Sequence, residues 1–319
     1  MSHAHENDHT CDSAPDDAAD DHDHSGPLVE LVTLRDWLRY AVTRFNRGRL
    51  FYGHGTDNVW DEAVYLLLHA LALPLDRLEP FLDACIPIEE RIALLELIDR
   101  RVETRLPAAY LTGEAWLGGY RFKVDSRVIV PRSYFAALLD DGLAPWVEDP
   151  FAVTRVADIC TGSGCLAILI ADAFPEAAVD AVDLSSEALE VAAENIADYG
   201  LQSRIALHQG DVYAPLGDAR YDLIISNPPY VTSADMATLP AEYCHEPAMA
   251  LAAGDDGLDV VRALIAGARR HLRPGGMLMV EIGHNRALVE AAFPELAFMW
   301  VADAHAEDKI FLLHEDQLP

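Results

Sequence analysis

The feature that most constrains the fold of this chain is a regular alternation of short apolar runs and longer amphipathic runs, which begins at about residue 153. The short runs have the length of strands and lie at 155–159, 178–182, 205–208, 223–226, 277–282 and 309–313. The first two longer runs, 164–174 and 185–199, have the length of helices. Strands and helices that alternate in this way form a parallel sheet covered by helices on both faces. The sequence therefore predicts a doubly wound, Rossmann-like α/β domain.

The residues before this domain have a helical period instead. Apolar side chains recur every three to four residues at Leu31, Leu34, Leu38, Val42 and Phe45, as on one face of a helix. Two further helices are predicted at 58–73 and 87–106; the second of these has an apolar face formed by Ile88, Ile92, Leu95, Ile98 and Val102. We predict a helical substrate-recognition domain at 28–107.

Between the two units the period changes to two. Residues 120, 122 and 124 are apolar and alternate with Arg121 and Lys123, as on a half-buried strand. Gly118 and Gly119 form the preceding turn, and 128–130 is predicted as a second strand. The sequence predicts a β-hairpin linker at 108–131, which leaves 132–319 as the α/β domain.

The charge of the chain limits its partners. Its formal net charge is −30. Residues 1–27 hold eight acidic residues and neither Lys nor Arg, so we expect a disordered tail, and the rest of the chain still carries −22. A chain this acidic repels phosphate backbones, and it attracts a basic protein. Acidity that only aids solubility explains the same composition.

No metal site or membrane span is expected. The five cysteines include no Cys-x-x-Cys pair, and the histidines of the tail have no fixed geometry around a metal. No run of 18 apolar residues is present, and no signal peptide is recognised at the start. These features predict a cytoplasmic protein.

A glycine-rich loop lies between the first strand and the first helix of the α/β domain. Gly162, Ser163 and Gly164 let the backbone pass close to a ligand at the helix N-terminus. Asp183 ends the next strand, where its carboxylate can accept hydrogen bonds from two ribose hydroxyls. Asp211 and Val212 follow the third strand, where an adenine amino group can donate to the carboxylate. A nicotinamide-dependent dehydrogenase fits this loop nearly as well, because Ala167 can stand where the third glycine of a dinucleotide-binding loop would be.

The segment Asn227-Pro228-Pro229-Tyr230 follows the strand at 223–226. It lies at the carboxyl end of a central strand, where open sheets place their sites. The side-chain oxygen of Asn227 and the carbonyl of Pro228 can both accept from one NH2 group, with Tyr230 beside it. This pattern indicates a planar nitrogen, either a carboxamide or an exocyclic base amine, as the group that reacts.

Both motifs in this order resemble the class I S-adenosylmethionine-dependent methyltransferases, and specifically the glutamine N5-methyltransferases of the HemK/PrmB group. The similarity covers roughly residues 28–319. The segments 52–57, 60–63, 160–165 and 245–247 resemble the PrmB branch, whose members methylate a glutamine of large-subunit ribosomal protein three.

The resemblance implies a seven-stranded sheet with one reversed strand and an N-terminal helical domain for the substrate. It implies that S-adenosylmethionine contacts Gly162, Gly164, Asp183 and the loop at Asp211 and Val212. The target amide is expected on Asn227 and Pro228, next to Pro229 and Tyr230, and Asn227 also adjoins the cofactor. His54, which lies in a turn between two glycines, is expected to contact the protein substrate.

Four other functions remain open at this point. A methyltransferase acting on peptide-chain release factors would use the same chemistry. A DNA adenine N6-methyltransferase would use the same Asn-Pro-Pro-Tyr pocket, although the negative charge opposes it. A dehydrogenase or a non-enzymatic binding module leaves the Asn227 segment unexplained.

Overall fold

The computed structural model describes residues 25–302 and 306–319. A helical unit is followed by a two-stranded hairpin and then by a seven-stranded sheet. The strands are β1 (Glu114–Leu117), β2 (Tyr120–Lys123), β3 (Arg155–Ile159), β4 (Ala178–Asp183), β5 (Ile205–Gln209), β6 (Tyr221–Ser226), β7 (Leu272–Glu281), β8 (Met299–Trp300) and β9 (Ile310–His314).

The helices lie before, between and after these strands. They are α1 (Ser25–Glu30), α2 (Leu34–Arg47), α3 (Val59–Ala70), α4 (Ile88–Thr104), α5 (Ala108–Thr112), α6 (Phe135–Asp140), α7 (Cys165–Ala173), α8 (Ser186–Asp198), α9 (Ser233–Met236), α10 (Asp259–His271) and α11 (Arg286–Ala292). In residues 25–302 and 306–319, no helix combines the length and the apolar character that crossing a bilayer requires.

The large sheet confirms the predicted doubly wound α/β fold. Its order is β5-β4-β3-β6-β7-β9-β8, and β3 pairs in parallel with both β4 and β6. The chain therefore builds outward from β3 in one direction and then returns to build in the other. β9 runs antiparallel to β7 and to β8, which makes it the reversed strand of this sheet. The point between β3 and β6 is the topological switch where such sheets bind ligands.

Two apolar cores cover the two faces of the sheet. On β3, the side chain of Val156 belongs to one core and the neighbouring Ala157 belongs to the other, and both are fully buried. Successive side chains of a strand point to opposite faces, so a strand covered on both sides has a continuous apolar sequence. This double burial fixes the strand ends, from which the site residues project.

The hairpin of β1 and β2 is anchored next to the glycine loop. The side chain of Asn195 on α8 accepts a hydrogen bond from the backbone N–H of Lys123 at 2.7 Å. Its Nδ2 donates to the carbonyl oxygens of Lys123 and Ser163, at 3.1 and 2.9 Å. One buried amide therefore joins the hairpin, a helix and the loop. Ser185 caps α8, because its hydroxyl accepts from the N–H of Ala188.

The predicted second strand of the linker is wrong. Residues 128–130 are not a strand, and the hairpin instead pairs β1 with β2 around Gly118 and Gly119. Both glycines have positive φ, which a tight two-residue turn requires. The backbone N–H of Val130 donates to the carboxylate of Glu246, so its hydrogen bond goes to a side chain rather than to a neighbouring strand.

Two other predictions need correction. The apolar face of α4 is rotated, because Ile88 and Ile92 are exposed while Leu94, Leu95 and Ile98 are buried. The charged Arg101 takes a core position on this helix, and a count of apolar residues cannot anticipate that. The predicted tail at 1–27 ends earlier, since α1 begins at Ser25; residues 1–24 lie outside the described residues.

Candidate active site

A cavity of about 300 Å³ opens at the carboxyl ends of β3, β4 and β6. Its walls come from the segments that follow these strands, from the linker and from a loop before α10. The residues that line it include Cys160, Gly162, Asp183, Leu184, Asp211, Val212, Asn227, Pro229 and Met249. The cavity thus coincides with the switch point of the sheet.

The glycine loop is held against Asp183. One carboxylate oxygen of Asp183 accepts from the backbone N–H of Gly162 at 2.8 Å, and the other accepts from Ser185 at 2.9 Å. Burial raises the pKa of Asp183, and the backbone N–H donors oppose that rise. Each carboxylate oxygen has a further lone pair, so both remain able to accept a ligand hydroxyl.

The second edge of the cavity is formed by Asp211 and Val212, which follow β5. Val212 has φ of 47°, a left-handed conformation that is costly for a β-branched residue. Cys160, at the end of β3, has φ of 63°. Strained backbone of this kind collects at ligand sites, where the surrounding structure holds it in place.

Asn227 lines the same cavity and is half-buried after β6, on the other side of β3 from Asp183. Its Nδ2 donates to the backbone carbonyl of Arg132 at 3.2 Å. Because the amide group is planar, this bond turns Oδ1 to the other edge of the side chain as an acceptor. The strand end beneath it is tied to β3, since the Ser226 hydroxyl donates to the carbonyl of Ile159 at 2.7 Å.

One side of the Tyr230 ring packs against Gly283, in the segment that follows β7. A Cβ atom at Gly283 would lie only 2.8 Å from the ring of Tyr230, so this packing depends on glycine. The carbonyl of Tyr230 accepts from Nδ2 of Asn285 at 2.7 Å, and burial raises the pKa of its phenol. The ring and the main chain of the segment are therefore both fixed.

The predicted site residues do not all line the cavity. Gly162, Asp183, Asp211, Val212, Asn227 and Pro229 do. Ser163 is buried behind the loop, and a Cβ at Gly164 would lie 3.1 Å from Ala192 of α8, so these two residues shape the turn. Pro228 is buried under the segment that it rigidifies.

His54 is placed away from the cavity and is only 4% exposed. Its ring lies 4.4 Å from the ring of Tyr243, measured between centroids, and its Nε2 is 3.6 Å from a carboxylate oxygen of Glu246. The turn that holds it therefore faces the α/β domain. A direct contact between His54 and a substrate stays a prediction.

The sequence analysis assigned no role to four charged residues around the site. Arg132, Glu246 and Glu281 hold the linker beside Asn227, and Asp158 lies buried on β3 with its Oδ2 accepting from the Thr161 hydroxyl at 2.6 Å. Burial raises the pKa of Glu281 to about 7. The signal available in the sequence was limited to Asp158 and Glu281, which are acidic residues flanked on both sides by apolar ones.

Replacing Asp158 with asparagine is expected to remove part of the pH dependence of stability. Burial raises the pKa of Asp158 to about 7, against 3.8 for the free side chain. Between these values the folded protein binds a proton that the unfolded chain has lost. The stabilising contribution is thus present at low pH and is lost as the pH rises through about 7. From about pH 5 to about pH 8, the free energy of unfolding should fall by about 2–3 kcal/mol more in the native chain than in Asp158→Asn.

Denaturant titrations of both proteins at the two pH values measure this difference. The comparison cancels every other titrating group that the two chains share. An equal fall in both proteins would show that Asp158 is ionised throughout and that its burial is compensated.

The lining of the cavity fits S-adenosylmethionine. At Gly162 no atom lies within 4 Å of the position that a Cβ would take, so the loop leaves open space toward a ligand. Carboxylates at Asp183 and Asp211 suit hydroxyl and amino donors, and apolar side chains such as Leu184 and Met249 suit a purine face. Asn227 lines the same cavity.

Comparisons with known proteins agree with this geometry. The family described as "Methyltransferase small domain" matches residues 139–254. The chain is similar to a curated protein of Bordetella pertussis named ribosomal protein uL3 glutamine methyltransferase, with 61% identity over 289 residues, covering 91% of this chain and 97% of that protein.

Two further relatives carry the same name. One, from Burkholderia pseudomallei, is 58% identical over 90% of this chain and 96% of its own length. The other, from Neisseria gonorrhoeae, is 54% identical over 91% of this chain and 96% of its own length. The similarity therefore includes the helical unit, the hairpin and the sheet alike.

Proposed function

Because the chain belongs to the family of ribosomal protein uL3 glutamine methyltransferases, we propose that it transfers a methyl group from S-adenosylmethionine to the side-chain amide nitrogen of a glutamine in uL3, the large-subunit ribosomal protein three. The enzyme is a methyltransferase of the class I, Rossmann-like fold. The proposal covers the identity of the cofactor, the protein substrate and the role of each site residue.

The observation that carries the proposal is the orientation of the Asn227 amide. Its Nδ2 is occupied by the carbonyl of Arg132, so Oδ1 is the edge left to accept from a substrate. Asp183 and Asn227 line one cavity, from strands on either side of β3. A nucleoside held at the first would therefore present its reactive end to an amide held at the second.

The residues perform two tasks in this reaction. Gly162, Asp183, Asp211 and Val212 bind the cofactor. When bound, S-adenosylmethionine supplies a methyl group on a sulfonium, from which the neutral thioether is a good leaving group. Asn227 Oδ1 and the Pro228 carbonyl accept the two N–H groups of the glutamine amide and orient its nitrogen toward the methyl.

The amide nitrogen is a poor nucleophile because its lone pair is delocalised. Two acceptors on its N–H groups draw electron density toward nitrogen, and in-line positioning lowers the remaining barrier. The proton leaves after the nitrogen has gained the methyl group, so no strong base is required. The Tyr230 ring packs against Gly283 and does not line the cavity, and its contact with the glutamine side chain is part of the proposal.

Substrate selection requires a surface beyond this cavity, because glutamine is a common residue. We assign that surface to the helical unit of α2 to α5, whose turn at His54 packs against Glu246 of the α/β domain. The net charge of −30 favours encounter with a basic protein and disfavours a nucleic acid. A ribosomal substrate places the reaction in the cytoplasm.

The test is a methylation assay with isotope-labelled S-adenosylmethionine and three separate acceptors: purified uL3, a peptide-chain release factor and duplex DNA. We expect label in uL3 alone, and peptide mapping by mass spectrometry should place one methyl group on a glutamine side chain. Preferential labelling of the release factor would assign the chain to the other substrate class. Labelling of adenine in the DNA would show that the substrate is DNA and not a protein. The absence of label in all three acceptors would refute the proposed activity.

A further inference from the structure

The carboxylate of Glu246 is buried between three parts of the chain. Both of its oxygens accept from the guanidinium of Arg132, at 2.6 Å each, in a two-pronged ion pair. One oxygen also accepts from the backbone N–H of Val130 at 2.9 Å, and the other lies 3.6 Å from His54 Nε2. Glu246 thus joins the linker, the turn of the helical unit and the loop before α10.

This ion pair persists across the physiological pH range. Burial alone would raise the pKa of Glu246, but the hydrogen bonds from Arg132 outweigh that effect and hold it at about 2. The guanidinium also lies over the ring of Tyr243, 5.4 Å from its centroid. A charged group with this many partners is costly to move, so the chain at Arg132, directly after the linker, is rigid.

The rigid linker bears directly on Asn227, because the carbonyl of Arg132 accepts from Asn227 Nδ2. The next two residues are held from the other side: the Ser133 hydroxyl and the Tyr134 N–H donate to Glu281 at 2.6 and 2.9 Å. Two buried carboxylates therefore fix the five-residue segment 130–134. The position of the Arg132 carbonyl within this segment therefore determines which edge of the Asn227 amide faces the substrate.

We propose that Glu246 is a positioning residue, which sets the orientation of Asn227 through Arg132 and couples it to the His54 turn of the helical unit. It does not touch the reacting atoms. A substrate that shifts the His54 turn would alter the rate at Asn227 through this ion pair. The inference rests on the proposed amide methylation, and it adds a route from the recognition surface to the chemistry.

Glu242 provides a matched control on the same segment, four residues earlier. It is also buried, it accepts from the backbone N–H of Phe51 at 2.9 Å, and it pairs with Arg101 and Arg105 at 3.5 and 3.2 Å. These contacts join the helical unit to the same loop without involving the linker at Arg132. Loss of Glu242 should weaken the interface between the two units but leave Asn227 in place.

The decisive measurement is the single-turnover rate at saturating cofactor for Glu246→Gln and for Glu242→Gln. We expect Glu246→Gln to lower this rate by about 10- to 100-fold, because small misplacements of a reacting group have effects of that size. The cofactor Kd should change by less than about twofold, since no ligand contact is altered. Glu242→Gln should lower the melting temperature while its rate stays within about threefold of the wild type.

A double-mutant cycle separates positioning from general destabilisation. If Glu246 acts through Asn227, adding Glu246→Gln to Asn227→Ala should produce little further loss of rate. Multiplicative losses, or equal losses from Glu242→Gln and Glu246→Gln, would overturn the inference while leaving the methylation itself established by the wild-type rate. Should Glu246→Gln fail to fold, Arg132→Lys replaces it in the same cycle, because lysine keeps the charge and loses the two-pronged geometry.

Discussion

Replacing Asn227 with alanine is expected to lower the turnover of uL3 methylation by about 100- to 1,000-fold, the range found when one of a small set of oriented hydrogen-bond partners is removed from a reaction site. The substitution leaves the Pro228 carbonyl as an acceptor, so the glutamine amide would keep one of its two fixed contacts. Rates under single-turnover conditions measure the chemical step, and calorimetry measures cofactor affinity, which should change little.

Asn227→Asp sharpens this test. A carboxylate retains oxygen acceptors at the same reach, but it cannot donate to the carbonyl of Arg132. If orientation through that donation matters, the aspartate variant should be nearly as slow as the alanine variant. Near-normal turnover in Asn227→Ala would sink the proposed mechanism, and recovery in Asn227→Asp would show that an acceptor alone suffices.

The cofactor end of the site was predictable from the sequence because its residues follow strands directly. A glycine loop after the first strand and an acid at the end of the second must converge at one edge of a parallel sheet. Asp183 and Gly162, which are 21 residues apart, accordingly meet through a hydrogen bond of 2.8 Å. Asn227 follows the next paired strand, so the same rule brings it to the cavity.

The support of Asn227 was not predictable in this way. Arg132 and Glu246 are 114 residues apart, and neither follows a strand of the sheet. Their contact depends on how the linker packs across the loop before α10, which no local period encodes. His54 shows the same limit: a histidine between two glycines reads as an exposed turn, and only packing against Tyr243 reveals that it is buried.

The prediction of secondary structure failed where a polar side chain took the place of a neighbouring strand or of an apolar core residue. Val128 and Val130 are buried as a strand predicts, yet the N–H of Val130 bonds to a carboxylate instead of a neighbouring strand. On α4, the face turns toward Arg101 because that side chain is paired at 2.8 Å with Glu62 inside the core. A buried ion pair places charged side chains on the buried face of a helix, so the period of the apolar residues alone does not identify that face.

Replacing Asp183 with alanine is expected to weaken S-adenosylmethionine binding by about 10- to 100-fold or more, because ribose hydroxyls buried without their acceptor cost about 1–3 kcal/mol. Asp211→Ala should have a smaller effect, since Asp211 is exposed and one contact to the adenine is at stake. Isothermal calorimetry with the cofactor measures both affinities.

Part of the effect of Asp183→Ala on cofactor affinity comes from the protein itself. Further variants are needed to separate this part from the lost ligand contact. The alanine variant also leaves the N–H groups of Gly162 and Ser185 without their acceptor, so the glycine loop loosens before any ligand binds. Asp183→Asn keeps an acceptor in place, and its loss of affinity relative to its loss of melting temperature isolates the ligand contact. Glu187→Ala removes an exposed charge from the first turn of α8 and controls for the local field. If Asp183→Ala bound the cofactor as tightly as Glu187→Ala does, the carboxylate would have no part in the site, and the ribose would have to be held by main-chain groups of the loop.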